Sequence, residues 1–135
     1  MILVDTSAWV EFLRATGSPV HRYLRRAIER QEQLATTEIV VLELLAGARD
    51  ERHLKRLRGL LLRFDLLALR SIADYEAAAT LYRTCRRSGV TIRSLTDCLV
   101  AVPAIRASAA ILHADRDFDA IARHSALRVI DPAAS

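Results

Sequence analysis

The chain has 135 residues, 52% hydrophobic and 27% charged, which excludes a disordered segment and gives one domain, 1–135, able to bury a core without disulfides. Four glycines and three prolines are too few for a fold of many tight hairpins, and no apolar run reaches the roughly 18–20 residues of a membrane span. Twenty Lys and Arg against sixteen Asp and Glu leave a net charge of +4, a surplus that permits an anionic partner without establishing one.

The elements are predicted in order. Ile2 to Val4 is wholly apolar, as in a strand buried on both faces, and Ser7 to Ala15 reads as a helix broken by Gly17. Ser18-Pro19 opens a second helix as N-cap and N1, running to about Gln31. Leu34 to Thr36 is a short strand. Thr37 is placed to cap an apolar helix, Glu38 to Ala46, that Gly47 ends. Asp50 caps the next helix, to about Phe64, and Leu66 to Leu69 looks like strand. Ser71 with Asp74 resembles a capping box for a helix ending at Gly89, and Ser94 with Asp97 is a second such signature, for a helix to about Ser108. Pro103 is expected to kink or shorten that helix. Ala110 to Leu112 is a strand, Phe118 to His124 a short helix, and Leu127 to Ile130 a last strand. Short apolar strands alternating with longer helices predict an α/β fold with a parallel sheet covered on both sides.

Cys85 and Cys98 stand in no metal or disulfide spacing, which suits a reducing compartment. The start of the chain lacks a basic segment and meets Asp5 after four residues, so no secretory signal is read there. A cytoplasmic location is expected. Lys55 is the single lysine among twenty basic residues. Arginine forks suit phosphate and carboxylate, but a coding bias toward arginine gives the same composition.

In open α/β sheets the functional crevice lies beyond the carboxyl ends of the strands. The first strand delivers Asp5 there. The strand at Ala110 to Leu112 delivers Asp115 and Asp117. Asp5 and Asp117 also have an ordinary reading, as a helix cap or an Asx-turn. Glu43 has Ile39, Val40, Ala46 and Gly47 at three and four residues on either side, so it is predicted to share a low-polarity face. A buried carboxylate neutralises, pairs with an arginine or binds a cation; an ion pair, or a helix edge meeting water, accounts for it equally well. Asp97 is explained either by its capping box or as a carboxylate projected into a crevice from a helix start.

Four such carboxylates converging on one site need protons or cations to neutralise them. Oxygen ligands in that number suit Mg²⁺ or Mn²⁺ rather than zinc. The chemistry such a site serves best is metal-assisted displacement at phosphorus. No nucleophile elbow, P-loop or dinucleotide-binding glycine pattern is present.

Taken with their spacing, these segments resemble a known family. Ile2-Leu3-Val4-Asp5-Thr6-Ser7-Ala8-Trp9 resembles the opening of the PIN-domain nucleases, most nearly the VapC ribonuclease toxins of VapBC toxin–antitoxin pairs. Val41 to Ala48 around Glu43, Arg93 to Ala101 around Asp97, and His113 to Asp119 are similar to the family's second, third and fourth acidic motifs. They stand in the family's order from Ile2 to Asp119. The resemblance implies a PIN-like fold, a short parallel sheet of about five strands sandwiched between helices, with an acidic pocket for one or two Mg²⁺ or Mn²⁺. It implies Asp5, Glu43, Asp97 and Asp115 as the catalytic quartet and Asp117 as an assisting acid. Asp5 and Asp97 would ligate the first metal, Asp115 would ligate directly or through water, and Glu43 would complete a second site or orient the attacking water. Thr6, Ser7 and Thr96 would hydrogen-bond surrounding waters or a phosphate oxygen. His113 stands where many relatives have Thr or Ser.

The implied activity is endoribonucleolytic cleavage of structured cellular RNA (tRNA, rRNA or mRNA). The implied partners are a VapB-type antitoxin and a second copy of the chain, in a heterotetramer or larger assembly. A silent module with the same fold, binding RNA or antitoxin, is the alternative. Arg86, Arg87 and Arg93 flank the loop into Asp97 and are read either as guides for an RNA backbone or as a solvated helix end. Arg22, Arg26 and Arg30 form an i, i+4 stripe, and Arg49, Arg52 and Arg56 lie close together on the next basic helix. Both are solvated faces, an RNA contact or, by the resemblance, the antitoxin's seat. Trp9, Phe12 and Leu13 belong either to the core or to that groove.

Overall fold

The central strands are short and apolar because both their faces are covered: Leu3, Val4, Leu34, Ala35, Ile111 and Leu112 are all 3% exposed or less. The computed structural model describes residues 1–133. In chain order these form β1 (Ile2–Val4), α1 (Thr6–Leu13), α2 (Pro19–Glu29), β2 (Leu34–Thr36), α3 (Glu38–Ala46), α4 (Glu51–Leu61), β3 (Asp65–Leu66), α5 (Ser71–Arg87), α6 (Leu95–Arg106), β4 (Ala110–Leu112), α7 (Asp117–Arg123) and β5 (Arg128–Val129).

The five strands are parallel, in the order β3-β2-β1-β4-β5. The chain winds outward from β1 through β2 to β3, then returns by α5 and α6 to lay β4 on the other side of β1. With the right-handed crossovers that parallel strands require, this reversal covers both faces of the sheet. It also makes the β1–β4 junction the topological switch point, where a crevice opens beyond the strand ends.

Local chemistry explains most element ends. The Ser18 hydroxyl accepts from the His21 amide at 3.1 Å and Asp50 from the His53 amide at 2.8 Å, so both expected caps are formed. Three expectations are corrected. Thr37 occupies the N-cap position of α3, but its hydroxyl is buried without a hydrogen-bond partner. Ser71 lies inside α5 behind the true N-cap, Arg70; only the Asp74 half of that box exists, accepting from the Arg70 amide while pairing with Arg106 at 2.6 Å. Pro103 does not shorten α6, which continues to Arg106. The ring lies in the core, the missing N–H removes a single bond to the turn before it, and the Ala107 amide returns to the Pro103 carbonyl at 3.0 Å.

The edge strands are shorter than expected. β3 is Asp65–Leu66 instead of Leu66 to Leu69, since the Leu69 amide is drawn off to the Glu38 carboxylate at 3.0 and 3.1 Å. β5 is reduced to Arg128–Val129. Trp9 is core, fully buried against Phe12 and Phe64 with ring centroids 5.8 and 5.6 Å away, whereas Leu13 is exposed. No helix among the described residues is long and apolar enough to cross a membrane.

Candidate metal centre

β1 ends in Asp5, and the Asp5 amide donates to the Leu112 carbonyl of β4 at 3.0 Å, so the two strand ends lie side by side. Asp5 is buried and is the N-cap of α1: its Oδ2 accepts from the Ser7 amide at 3.0 Å and the Ser7 hydroxyl at 2.6 Å. The Ser7 Oγ in turn accepts from the Ala114 amide at 2.9 Å. One hydroxyl therefore ties the carboxylate after β1 to the backbone after β4. Ser7→Ala removes both bonds and is expected to cost about 1–3 kcal/mol in chemical unfolding.

Past β4 the chain turns on its own side chains. His113 is buried. Its Nδ1 accepts from the Asp115 amide at 3.1 Å, so Nε2 carries the hydrogen and donates to Asp119 Oδ1 at 3.1 Å. The Asp117 amide then donates to Asp115 Oδ1 at 3.0 Å, and Asp117 opens α7 as a buried acid.

Asp97 arrives from the third direction, on the first turn of α6. The expected capping box is not formed: the Ser94 hydroxyl is bonded to the Thr96 hydroxyl at 2.7 Å and caps nothing. The Asp97 carboxylate is thus turned into the crevice, with Oδ2 buried and without a hydrogen-bond partner. Oxygens of Asp97, Asp115 and Asp117 lie within 4.8 Å of one another. Burial, then the charges of Asp115, Asp5 and Asp117, push the Asp97 carboxyl up to about 8. Burial also raises Asp5, against the opposing hydrogen bonds from Ser7.

Arg93 enters from the loop before α6. α5 ends in a Schellman turn, with the Val90 amide bonded to the Cys85 carbonyl at 2.9 Å and the Gly89 amide to the Arg86 carbonyl at 3.0 Å. Gly89 supplies the required φ of +83°. The chain doubles back and sets Arg93 against the acids: Nη2 lies 2.9 Å from Asp115 Oδ1, while the backbone amide and Nε lie 3.0 and 3.3 Å from Asp117 Oδ2. Arg86 and Arg87 stay on α5, over the Tyr82 ring at 5.8 Å and beside Thr84 at 3.5 Å.

Of the readings open for Glu43, the helix edge meeting water is the one formed. It is exposed rather than held on an apolar face, and it accepts from the Thr6 hydroxyl at 2.9 Å, next to Asp5 along the chain. Thr96 is engaged with Ser94 rather than with the acids. The inward turn of Arg93 and the His113–Asp119 pair were not anticipated. The Asp115-x-Asp117-x-Asp119 spacing was the available signal for the pair.

The donor set is all oxygen, one buried carboxylate oxygen lacks a partner among the described residues, and the charges are alike, which fits a hard divalent cation. A cleft of about 500 Å³ opens beside Asp115, between His113, Asp119, Val129 and Ile130.

The PIN domain family matches residues 2–124. The chain belongs to the PIN-domain family, with the VapC proteins. Ribonuclease VapC11 of Mycobacterium tuberculosis is 46% identical over 124 residues, covering 91% of this chain and 92% of that protein, as is VapC ribonuclease Mb1587 of Mycobacterium bovis. Solved structures share the fold at lower identity. FitAB bound to an IR36 DNA fragment superposes with a TM-score of 0.76 at 22% identity, over 98% of this chain and 95% of that one. VapBC2 of Rickettsia felis bound to a promoter DNA fragment gives 0.74 at 20%, over 96% and 98%.

Proposed function

We propose that this VapC protein is a Mg²⁺- or Mn²⁺-dependent endoribonuclease and the toxin of a type II toxin–antitoxin pair. The observation that carries the reading is the partnerless, buried Asp97 Oδ2 facing Asp115 and Asp117 at the switch point of the sheet. Asp5, Asp97 and Asp115 are the proposed ligands of a cation, with Asp117 as the acid behind them. When bound, the cation supplies Lewis-acid polarisation of a phosphate oxygen and a more acidic water.

The chain's own residues arrange the rest. Ser7 fixes the Asp5 carboxylate and the Ala114 backbone together, and His113 holds the Asp115 amide while Asp119 holds His113. Glu43, oriented by Thr6, is the exposed acid proposed to orient the attacking water. The cleft beside Asp115 gives room for a nucleotide next to the scissile phosphate. Arg86 and Arg87 are proposed to meet the RNA backbone at the end of α5.

For the protein partner we propose a VapB-type antitoxin, since the solved relatives include VapBC complexes. An apolar groove of about 400 Å³ between α3, α4 and β3, with Leu42, Leu62 and Leu66 exposed along it, suits an amphipathic helix. Exposed Ile72, Tyr75 and Leu95 on α5 and α6 suit a second copy of the chain. The free thiols of Cys85 and Cys98 agree with a cytoplasmic location.

The test is incubation of purified chain, freed of antitoxin, with total cellular RNA. Mg²⁺ or Mn²⁺ is expected to give discrete new RNA ends, and EDTA to abolish them. RNA binding that EDTA leaves unchanged, with no cuts under either metal, would replace this reading with the silent-module one.

A further inference from the structure

Among the described residues, Arg93 is the only cation paired with any of the four aspartates of the pocket. We infer that Arg93 is the chain's own substitute for a second metal ion: its guanidinium engages one oxygen each of Asp115 and Asp117, so the pocket admits a single divalent cation, held by Asp5, Asp97 and the other oxygen of Asp115. This rests on the metal-centre reading above and specifies its stoichiometry.

The contact is built rather than incidental. Asp117 Oδ2 takes both the backbone amide of Arg93 at 3.0 Å and its Nε at 3.3 Å. The loop is therefore anchored even before the guanidinium is counted. Asp117 is only 6% exposed, so its carboxylate has little room to leave. Asp115 Oδ1 is likewise doubly engaged, by Nη2 at 2.9 Å and by the Asp117 amide at 3.0 Å.

A second ion bridging Asp115 and Asp117 would have to share both carboxylates with the guanidinium, which already engages one oxygen of each. On the other side, Asp97 Oδ2 has no partner among the described residues, and Asp5 accepts from neutral groups, the Ser7 amide and hydroxyl and the Thr6 backbone. The uncompensated charge is thus concentrated where one ion is enough.

Arginine suits this task because its charge persists at any ordinary pH and its fork engages two acids at once. Nη1 makes no hydrogen bond among the described residues, and 60% of the side chain is exposed. Donors remain for a phosphate oxygen arriving from solvent. Arg93 is accordingly a positioning residue for Asp115 and Asp117, with a hand free for substrate.

The test uses Mn²⁺ alone, without RNA. The purified full chain is titrated and bound Mn²⁺ is counted by electron paramagnetic resonance. The wild type is expected to bind one Mn²⁺ per chain. Arg93→Ala is expected to bind two, with the broadened spectrum of a coupled pair, and Arg93→Lys, which keeps a charge there, to remain at one. Two in the wild type, one in Arg93→Ala, or two in Arg93→Lys overturns the inference.

A second measurement needs no substitution. The Nε–H resonance of Arg93 is expected to stay protected from exchange when Mg²⁺ saturates the wild type, and its loss would show the guanidinium displaced. RNA cleavage separates this inference from the reading beneath it. A wild type that cuts RNA with two Mn²⁺ bound keeps the ribonuclease reading and ends the role of Arg93. One Mn²⁺, rising to two in Arg93→Ala, without cleavage does the reverse. No bound Mn²⁺ ends both.

Discussion

Asp97→Asn is expected to lower metal-dependent RNA cleavage by about 10³-fold or more, the scale on which losing a principal electrostatic contact to the reacting group acts. The fold is expected to survive. The Asp97 carboxylate makes no capping bond, and its Oδ2 has no partner among the described residues, so the substitution removes no helix cap and leaves no partner of that oxygen unpaired. An amide of the same shape removes a charge that Asp115, Asp5 and Asp117 oppose. What disappears is a carboxylate turned into the pocket, the proposed ligand of the cation. Cleavage assays with equal amounts of wild type and variant, alongside circular dichroism, check both halves. A variant that is folded, free of contaminating nuclease and still active would remove Asp97 from the chemistry.

The same residue shows where local pattern stops informing. Ser94 to Asp97 is a fair capping box as a string, yet the Ser94 hydroxyl finds Thr96 instead, and the carboxylate is released for the pocket. At Asp5 the ordinary reading holds without moving the residue from the crevice: Oδ2 caps α1 while the residue stands at the junction of β1 and β4. The strand-end aspartates were legible since a strand that is apolar on both faces has few ways to carry an acid except past its end.

The readings of Glu43 stayed open for a definite reason. α3 is apolar nearly all round, so its neighbours at three and four residues do not distinguish the buried face from the open one. Packing chose Val40 and Leu44 for the core and left Leu42 and Glu43 outside. Arg93 lay beyond reach for another reason. Its partners stand 22 and 24 residues away along the chain, on a strand end that β4 brings alongside only after the sheet reverses. Periodicity and capping signals are local, whereas that pairing belongs to the topology.

The metal-free chain is expected to lose stability as pH rises from about 4 to about 8. Folded Asp97 keeps its proton up to about 8, whereas a free aspartyl group gives it up near 3.8. Between those values the folded state binds more protons than the unfolded one, so each rise in pH favours unfolding. Asp5, raised in the same direction by burial, adds to the slope. The contribution is present in full below the lower value and gone above the higher one. A divalent cation reverses the trend, because it binds the ionised carboxylates of the folded state and competes with the proton. Saturating Mg²⁺ is therefore expected to raise the melting temperature more at pH 8 than at pH 5. Asp97→Asn is expected to flatten the metal-free profile and to weaken the response to Mg²⁺. Thermal unfolding from pH 4 to 9, with EDTA and with Mg²⁺, measures this directly. A metal-free melting temperature that climbs through the window would show that Asp97 is already ionised in the folded chain and that other groups carry the pocket's charge.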